Sequence, residues 1–134
     1  LRCLVGSEMC IRDRFMILNF LYVGLGGALG AVSRLGINEI FERISFSSFP
    51  LSTLLINVLG CFFIGLYLGI NIPAKDSFYY FFIIGFLGPF TTMSAFTHQT
   101  ILMFNSNLIS AVSYIMLTIF LSIFATYFGT LITR

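Results

Sequence analysis

Apolar stretches of helical length alternate with short polar interruptions along this chain. Residues 15–33 and 51–70 hold no Asp, Glu, Lys or Arg, and neither does the whole of 77–133, which the polar triplet Asn105-Ser106-Asn107 divides in two. About 20 apolar residues in a helix cover the ~30 Å hydrocarbon core of a bilayer. The pattern therefore predicts four membrane-spanning helices: 15–33, ending near Arg34; 51–70, opened by Pro50, whose missing N–H suits a first turn; 78–104; and 108–132, an antiparallel neighbour across the tight turn. Residues 36–49 are predicted as a polar connection with a helical turn carried by Glu39 and Arg43, and 71–77 as a short turn.

Gly88 and Pro89 fall inside the third span, and both oppose a helix. Proline lacks an N–H and clashes with the preceding turn, and glycine is the least helix-committed of the other residues. The backbone is expected to open there and free carbonyls and amides. A simple kink is the commoner meaning of such residues in a membrane helix. The more specific meaning is an ion site, because non-helical backbone at membrane depth is tolerated only where it is buried in protein or lines a polar cavity. The hydroxyls of Thr91, Thr92 and Ser94 follow directly, and liberated carbonyls suit a small hard cation such as sodium.

Other polar positions recur at helical spacing inside the spans. Thr53, Asn57 and Gly60 stand at i, i+4 and i+7, on one face. An amide at that depth costs free energy unless its donors and acceptor are met, so Asn57 is either helix glue or a ligand contact. Ser110, Tyr114, Thr118, Ser122, Thr126 and Thr130 each follow the last by four, a row along the inclined ridge of span four. Such hydroxyls often bond back to their own helix. Gly26 and Gly30 share a face of span one and allow a close backbone approach, and Arg34 can snorkel from the span end to the interface.

Composition supports an integral membrane protein. The 134 residues are 58% hydrophobic and 9% charged, against roughly 25% charged in soluble domains, and the mean hydropathy is +1.01. A net charge of +2 is too small to point to nucleic acid. Cys3, Cys10 and Cys61 are an odd count, and Cys61 beside Gly60 reads as a small packing residue. Residues 1–14 crowd Arg2, Glu8, Arg12, Asp13 and Arg14 without an apolar period. They resemble translated adapter sequence and are expected to be a non-native or disordered N-terminal tail, with 15–134 as the four-helix domain and Met16 as the expected native start. They lack the apolar core of a signal peptide.

The chemistry available is narrow. All five acidic residues lie outside the spans and His98 is alone, which opposes acid/base or hydrolytic catalysis, so the chain is not expected to be an enzyme. A transporter coupled to protons or cations usually keeps a carboxylate within the membrane, and none is there. That weakens the alternative of a small four-span drug/metabolite transporter; a non-transporting helical assembly protein is a third reading. The spans offer instead hydroxyls, one amide and many of the 17 phenylalanines, whose ring edges carry partial positive charge. Neutral N–H and O–H donors with such edges can replace water around a small, strongly hydrated anion without holding it too tightly to leave. With an even number of spans, Lys75 and Arg134 share one side and Arg34 and Arg43 the other. Two against two gives no orientation by the positive-inside rule, so the chain is expected to insert both ways and two copies to pack antiparallel.

Three stretches carry a family resemblance: Gly26-Gly27-Ala28-Leu29-Gly30-Ala31-Val32-Ser33-Arg34, Pro50-Leu51-Ser52-Thr53-Leu54-Leu55-Ile56-Asn57-Val58-Leu59-Gly60, and Gly85-Phe86-Leu87-Gly88-Pro89-Phe90-Thr91-Thr92-Met93-Ser94-Ala95-Phe96. In order and spacing they resemble the signature stretches of the CrcB/Fluc fluoride channels, over residues 16–132. The resemblance implies an all-α membrane protein with four transmembrane helices per subunit and a broken third helix, forming an antiparallel dual-topology homodimer in the cell (inner) membrane. It implies passive fluoride export that relieves fluoride toxicity, and a structural sodium ion at the dimer centre, held by backbone carbonyls at Gly88 and Thr91. In the fluoride pathway it implies Thr53, Asn57, Ser94 and Phe96, with Tyr114, Thr118 and Ser122 as the polar track and Arg34 at an aqueous vestibule. Met93 stands where the family's first ring-edge phenylalanine is expected, Pro89 replaces a glycine, and Gln99 occupies a position often held by glutamate.

Overall fold

The computed structural model describes residues 7–44, 49–70 and 75–134, with side chains from Arg14 onward. The described residues are helical with no strands, in the order α1 (Ser7–Ile44), α2 (Leu51–Ile70), a π-helix (Tyr79–Leu87), α3 (Gly88–Phe90), α4 (Met93–Ser106) and α5 (Leu108–Thr133). Four segments are long and apolar enough to cross a membrane: Arg14–Ile44, Leu51–Ile70, Tyr79–Ser106 and Leu108–Thr133. The chain is a multi-pass membrane protein, and most of its large apolar side chains point outward, as lipid-facing residues do.

Helix α1 departs from expectation at both ends. It continues to Ile44 instead of ending near Arg34, absorbing most of the expected polar connection. Ile37, Ile40, Phe41 and Ile44 explain this, because they repeat at i, i+3, i+4 and i+7 and no proline intervenes before Pro50. At the other end the helix opens at Ser7, so residues 7–14 of the expected tail are helical here; residues 1–6 lie outside the described residues. Arg14 and Arg34 are separated by about 30 Å of helix, which still puts Arg34 at a hydrocarbon edge. Of the turn expected at 71–77, residues 71–74 lie outside the described residues.

Two helix pairs make the core: α2 lies along α5, and α1 lies along the π-helix and α3. The second pairing is as close as backbones allow. A Cβ on Gly26 would meet the Phe81 carbonyl oxygen, and one on Gly30 the Phe86 carbonyl oxygen. One apolar cluster joins Ile56, Leu87 and Phe90; the other joins Phe96, Met103, Ala111 and Tyr114. Phe78, Phe82, Phe86 and Phe90 form a ladder of stacked rings along the third segment, with centroids 5.3, 5.6 and 5.5 Å apart.

The third segment leaves the helical conformation later than the sequence suggests. Gly88–Phe90 remain helical and continue directly from the π-helix, so Pro89 lies inside an uninterrupted helical run over 77–90, where the π turns before it are the kind of local adjustment that accommodates proline in a membrane helix. Thr91 (φ −78°, ψ 147°) and Thr92 (φ −148°, ψ 117°) are extended, and α4 restarts at Met93 with the Thr92 hydroxyl accepting from the Ala95 N–H. The turn after α4 is tighter than a triplet: Asn107 alone links α4 to α5 and caps α5 through Oδ1, which accepts from the N–H groups of Ile109 and Ser110.

Candidate ion pathway

The extended Thr91-Thr92 pair is held in place by α2. Asn57 Oδ1 accepts the Thr92 N–H at 3.1 Å. In an unbroken helix that N–H would serve the Gly88 carbonyl, which is left without its helical donor. The Ala95 N–H, which would serve the Thr91 carbonyl, goes instead to Thr92 Oγ1 at 3.4 Å. The Leu87 carbonyl is doubly used, accepting the Thr91 N–H at 3.0 Å and the Thr91 hydroxyl at 2.9 Å. The Met93 and Ser94 N–H groups do not serve Pro89 and Phe90 either, so among the described residues the four carbonyls from Gly88 to Thr91 lose their helical donors, the two positions expected to face a cation among them. Gly60 makes room for this arrangement, since a Cβ there would meet Thr91 Cγ2.

Beside the break lies a cavity of about 390 Å³. Asn57, Met93, Phe96, Thr118 and Ser122, five of the pathway candidates, line it together with Thr91, Thr92 and Cys61. Among the described residues, no charged one lines it. With Oδ1 committed to Thr92, Asn57 Nδ2 keeps both hydrogens for the cavity. The Thr118 hydroxyl donates to the Tyr114 carbonyl at 2.8 Å, whereas the Ser122 hydroxyl has no partner among the described residues. The donors turned to this space are thus an amide, a hydroxyl, a thiol and the Phe96 ring, all neutral. Cys61, read from sequence as packing, joins this wall because it follows Asn57 by one turn.

The other candidates lie apart from that cavity. Thr53 and Tyr114 are buried outside it. The Tyr114 ring packs between Phe96, 5.3 Å away, and Phe49, edge-on at 5.5 Å, and its hydroxyl donates to Gln99 Oε1 at 3.2 Å. Ser94 lines a second cavity, of about 430 Å³, with Arg34, Asn38 and His98. The Thr92 and Ser94 hydroxyls are 3.0 Å apart, and Thr92 lines both cavities. Thr126 and Thr133, on α5, tie it to α2 by donating to the Cys61 carbonyl at 3.1 Å and the Leu66 carbonyl at 3.0 Å. Of these two, Thr126 belongs to the hydroxyl row, and there it serves as helix glue.

A four-span helical bundle with a charge-free, mainly apolar cavity edged by a few neutral polar groups beside an opened backbone, and a cationic cavity next to it, defines a small membrane protein of the ion-pathway class. Sequence comparison makes this particular. The family model "CrcB-like protein, Camphor Resistance (CrcB)" matches residues 21–130, and the chain belongs to that family. A protein of Azobacteroides pseudotrichonymphae named fluoride-specific ion channel FluC is 35% identical over 123 residues, 89% of this chain and 98% of its own length. Proteins of the same name from Thermosipho melanesiensis and a Nitratiruptor species are 34% and 42% identical, over 87% and 78% of this chain and 97% and 84% of their own lengths.

Proposed function

We propose that this chain is a fluoride-selective channel that passes F⁻ passively across the cytoplasmic membrane and so lowers its toxicity. The observation that carries the reading is the cavity by the break, where Asn57 Nδ2, the Ser122 hydroxyl and the Phe96 ring converge without any charge. Fluoride is small and strongly hydrated, so its water must be replaced by donors close at hand. Neutral donors do this without the deep well that a fixed cation would create. A carboxylate-coupled drug/metabolite transporter finds no coupling group in α2, the π-helix, α3, α4 or α5, which hold no acidic residue, and the acidic residues of the α1 span, Glu39 and Glu42, lie beyond Arg34 at its far end.

The working unit in this reading is an antiparallel dual-topology homodimer with one pore contributed along each subunit's broken third span. The freed Gly88 and Thr91 carbonyls fit a hard cation, and together with their two-fold mates they would hold a structural Na⁺. Such an ion would supply fixed positive charge and tie the two breaks together. A Cβ on Gly88 would meet nothing within 4 Å, which leaves that face open to a second copy. Arg34 raises the local anion concentration at the entrance.

The test is efflux from liposomes containing the purified protein. Rapid F⁻ release with little Cl⁻ release is expected, and equal release of the two would refute the reading.

A further inference from the structure

We propose that the cavity between α1 and α4 is a staging site for a small anion that still carries water, with Asn38 as the acceptor for that water. This rests on the channel reading above and concerns a residue outside the expected pathway. Asn38 Oδ1 is buried and has no hydrogen-bond partner among the described residues. An orphaned carbonyl oxygen is costly in a low-dielectric setting and marks a place where a donor belongs.

The surroundings define that donor. Asn38 follows Arg34 by one helical turn, so both side chains lie on one face of α1, and both line the cavity with Thr92, Ser94 and His98. A cation is disfavoured beside the Arg34 guanidinium, and among the described residues no carboxylate lines the cavity to offset it. A bare anion satisfies Arg34 but is repelled by the Asn38 oxygen. An anion and its water satisfy both. The anion accepts from the Arg34 N–H groups, and a water that gives one hydrogen to the anion has its second free for Asn38 Oδ1. The backbones of α1 and α4 make no close approach among the described residues, which leaves this groove open for the pair to enter. Thr92 forms part of both cavities and is the doorway to Asn57.

Staging predicts an effect on occupancy, separate from conduction. In proteoliposomes, Asn38→Leu is expected to raise the half-saturating F⁻ concentration about fivefold, the weight of one ordinary hydrogen bond, while the plateau flux at high F⁻ is retained. A second readout does not depend on transport: modification of Arg34 by phenylglyoxal, followed at that residue by mass spectrometry, with sodium fluoride as the probe. Fluoride is expected to slow the modification in the wild type and much less in Asn38→Leu. Unchanged half-saturation and equal protection in the variant would overturn the proposal. So would a lower plateau together with loss of dimer on cross-linking, which would make Asn38 an assembly contact. Protection that depends on Asn38 in a protein that moves no F⁻ would uphold the staging site and refute the channel reading.

Discussion

Asn57 does two jobs with one amide. Its oxygen pins the Thr92 N–H, and its nitrogen, on a side chain that lines the cavity, has no hydrogen-bond partner among the described residues. Asn57→Asp separates these roles, because a carboxylate still accepts from Thr92 but offers no N–H and repels an anion. F⁻ efflux in that variant is expected to fall to the background of empty liposomes, with the protein still folded by size-exclusion chromatography; wild-type rates would remove Asn57 from the pathway. Tyr114→Phe leaves Gln99 Oε1 without its donor at 3.2 Å, and a loss of about 1 kcal/mol in thermal stability is expected from the one hydrogen bond. A melt in detergent checks it. Asn57 was legible in the sequence because an amide in an apolar run demands a partner. Gln99 as the partner for Tyr114 was not, since the two are 15 residues apart on different helices. Asn38 was passed over because it fell in a stretch read as a polar connection, where an asparagine costs nothing.

The four spans could be read from the lengths of the uncharged runs, and α2 and α5 fall close to their expected bounds. The extension of α1 could not be read from charge alone, since Glu39, Glu42 and Arg43 suggest a loop while the apolar residues between them keep a helical period. The position of the break was displaced for a similar reason. Pro89 is accommodated inside a helical run by the π turns before it, whereas Thr92 can cap a new helix. The π-helix left no mark in the apolar pattern. Helix-to-helix fit depends on glycine in both pairs, on Gly26 and Gly30 where α1 meets the third segment and on Gly65, Gly69 and Gly129 where α2 meets α5. Gly30→Leu forces a side chain onto the Phe86 carbonyl and is expected to destabilise the α1 pairing by about 1–3 kcal/mol, read as a lowered melting temperature in detergent. Gly60→Ala pushes on Thr91 Cγ2 and so moves a carbonyl of the expected cation site. About a tenfold loss of F⁻ flux is expected, equivalent to ~1.4 kcal/mol, in the same efflux assay.

The assembly is the least legible level, because in the proposed reading it belongs to two chains. The balance of Lys75 and Arg134 against Arg34 and Arg43 is what suggests insertion both ways. Lys75→Cys, in a background without Cys3, Cys10 and Cys61, is expected to be labelled about half from each side of a cell membrane, as two equally favoured orientations require. Labelling from one side alone would exclude dual topology. The freed Gly88 and Thr91 carbonyls predict that replacing Na⁺ with N-methylglucamine lowers F⁻ flux and that returning Na⁺ restores it.

The length of the apolar helices reaches beyond the protein to its lipids. The 20 residues of α2 span about the thickness of an ordinary hydrocarbon core, and Arg34 marks one edge of it on α1. Lipids with longer acyl chains would draw the guanidinium of Arg34 inward or force the helices upright, and shorter ones would tilt them. Ion throughput should therefore peak at one acyl-chain length and decline on either side, so that membrane composition becomes a control on halide resistance.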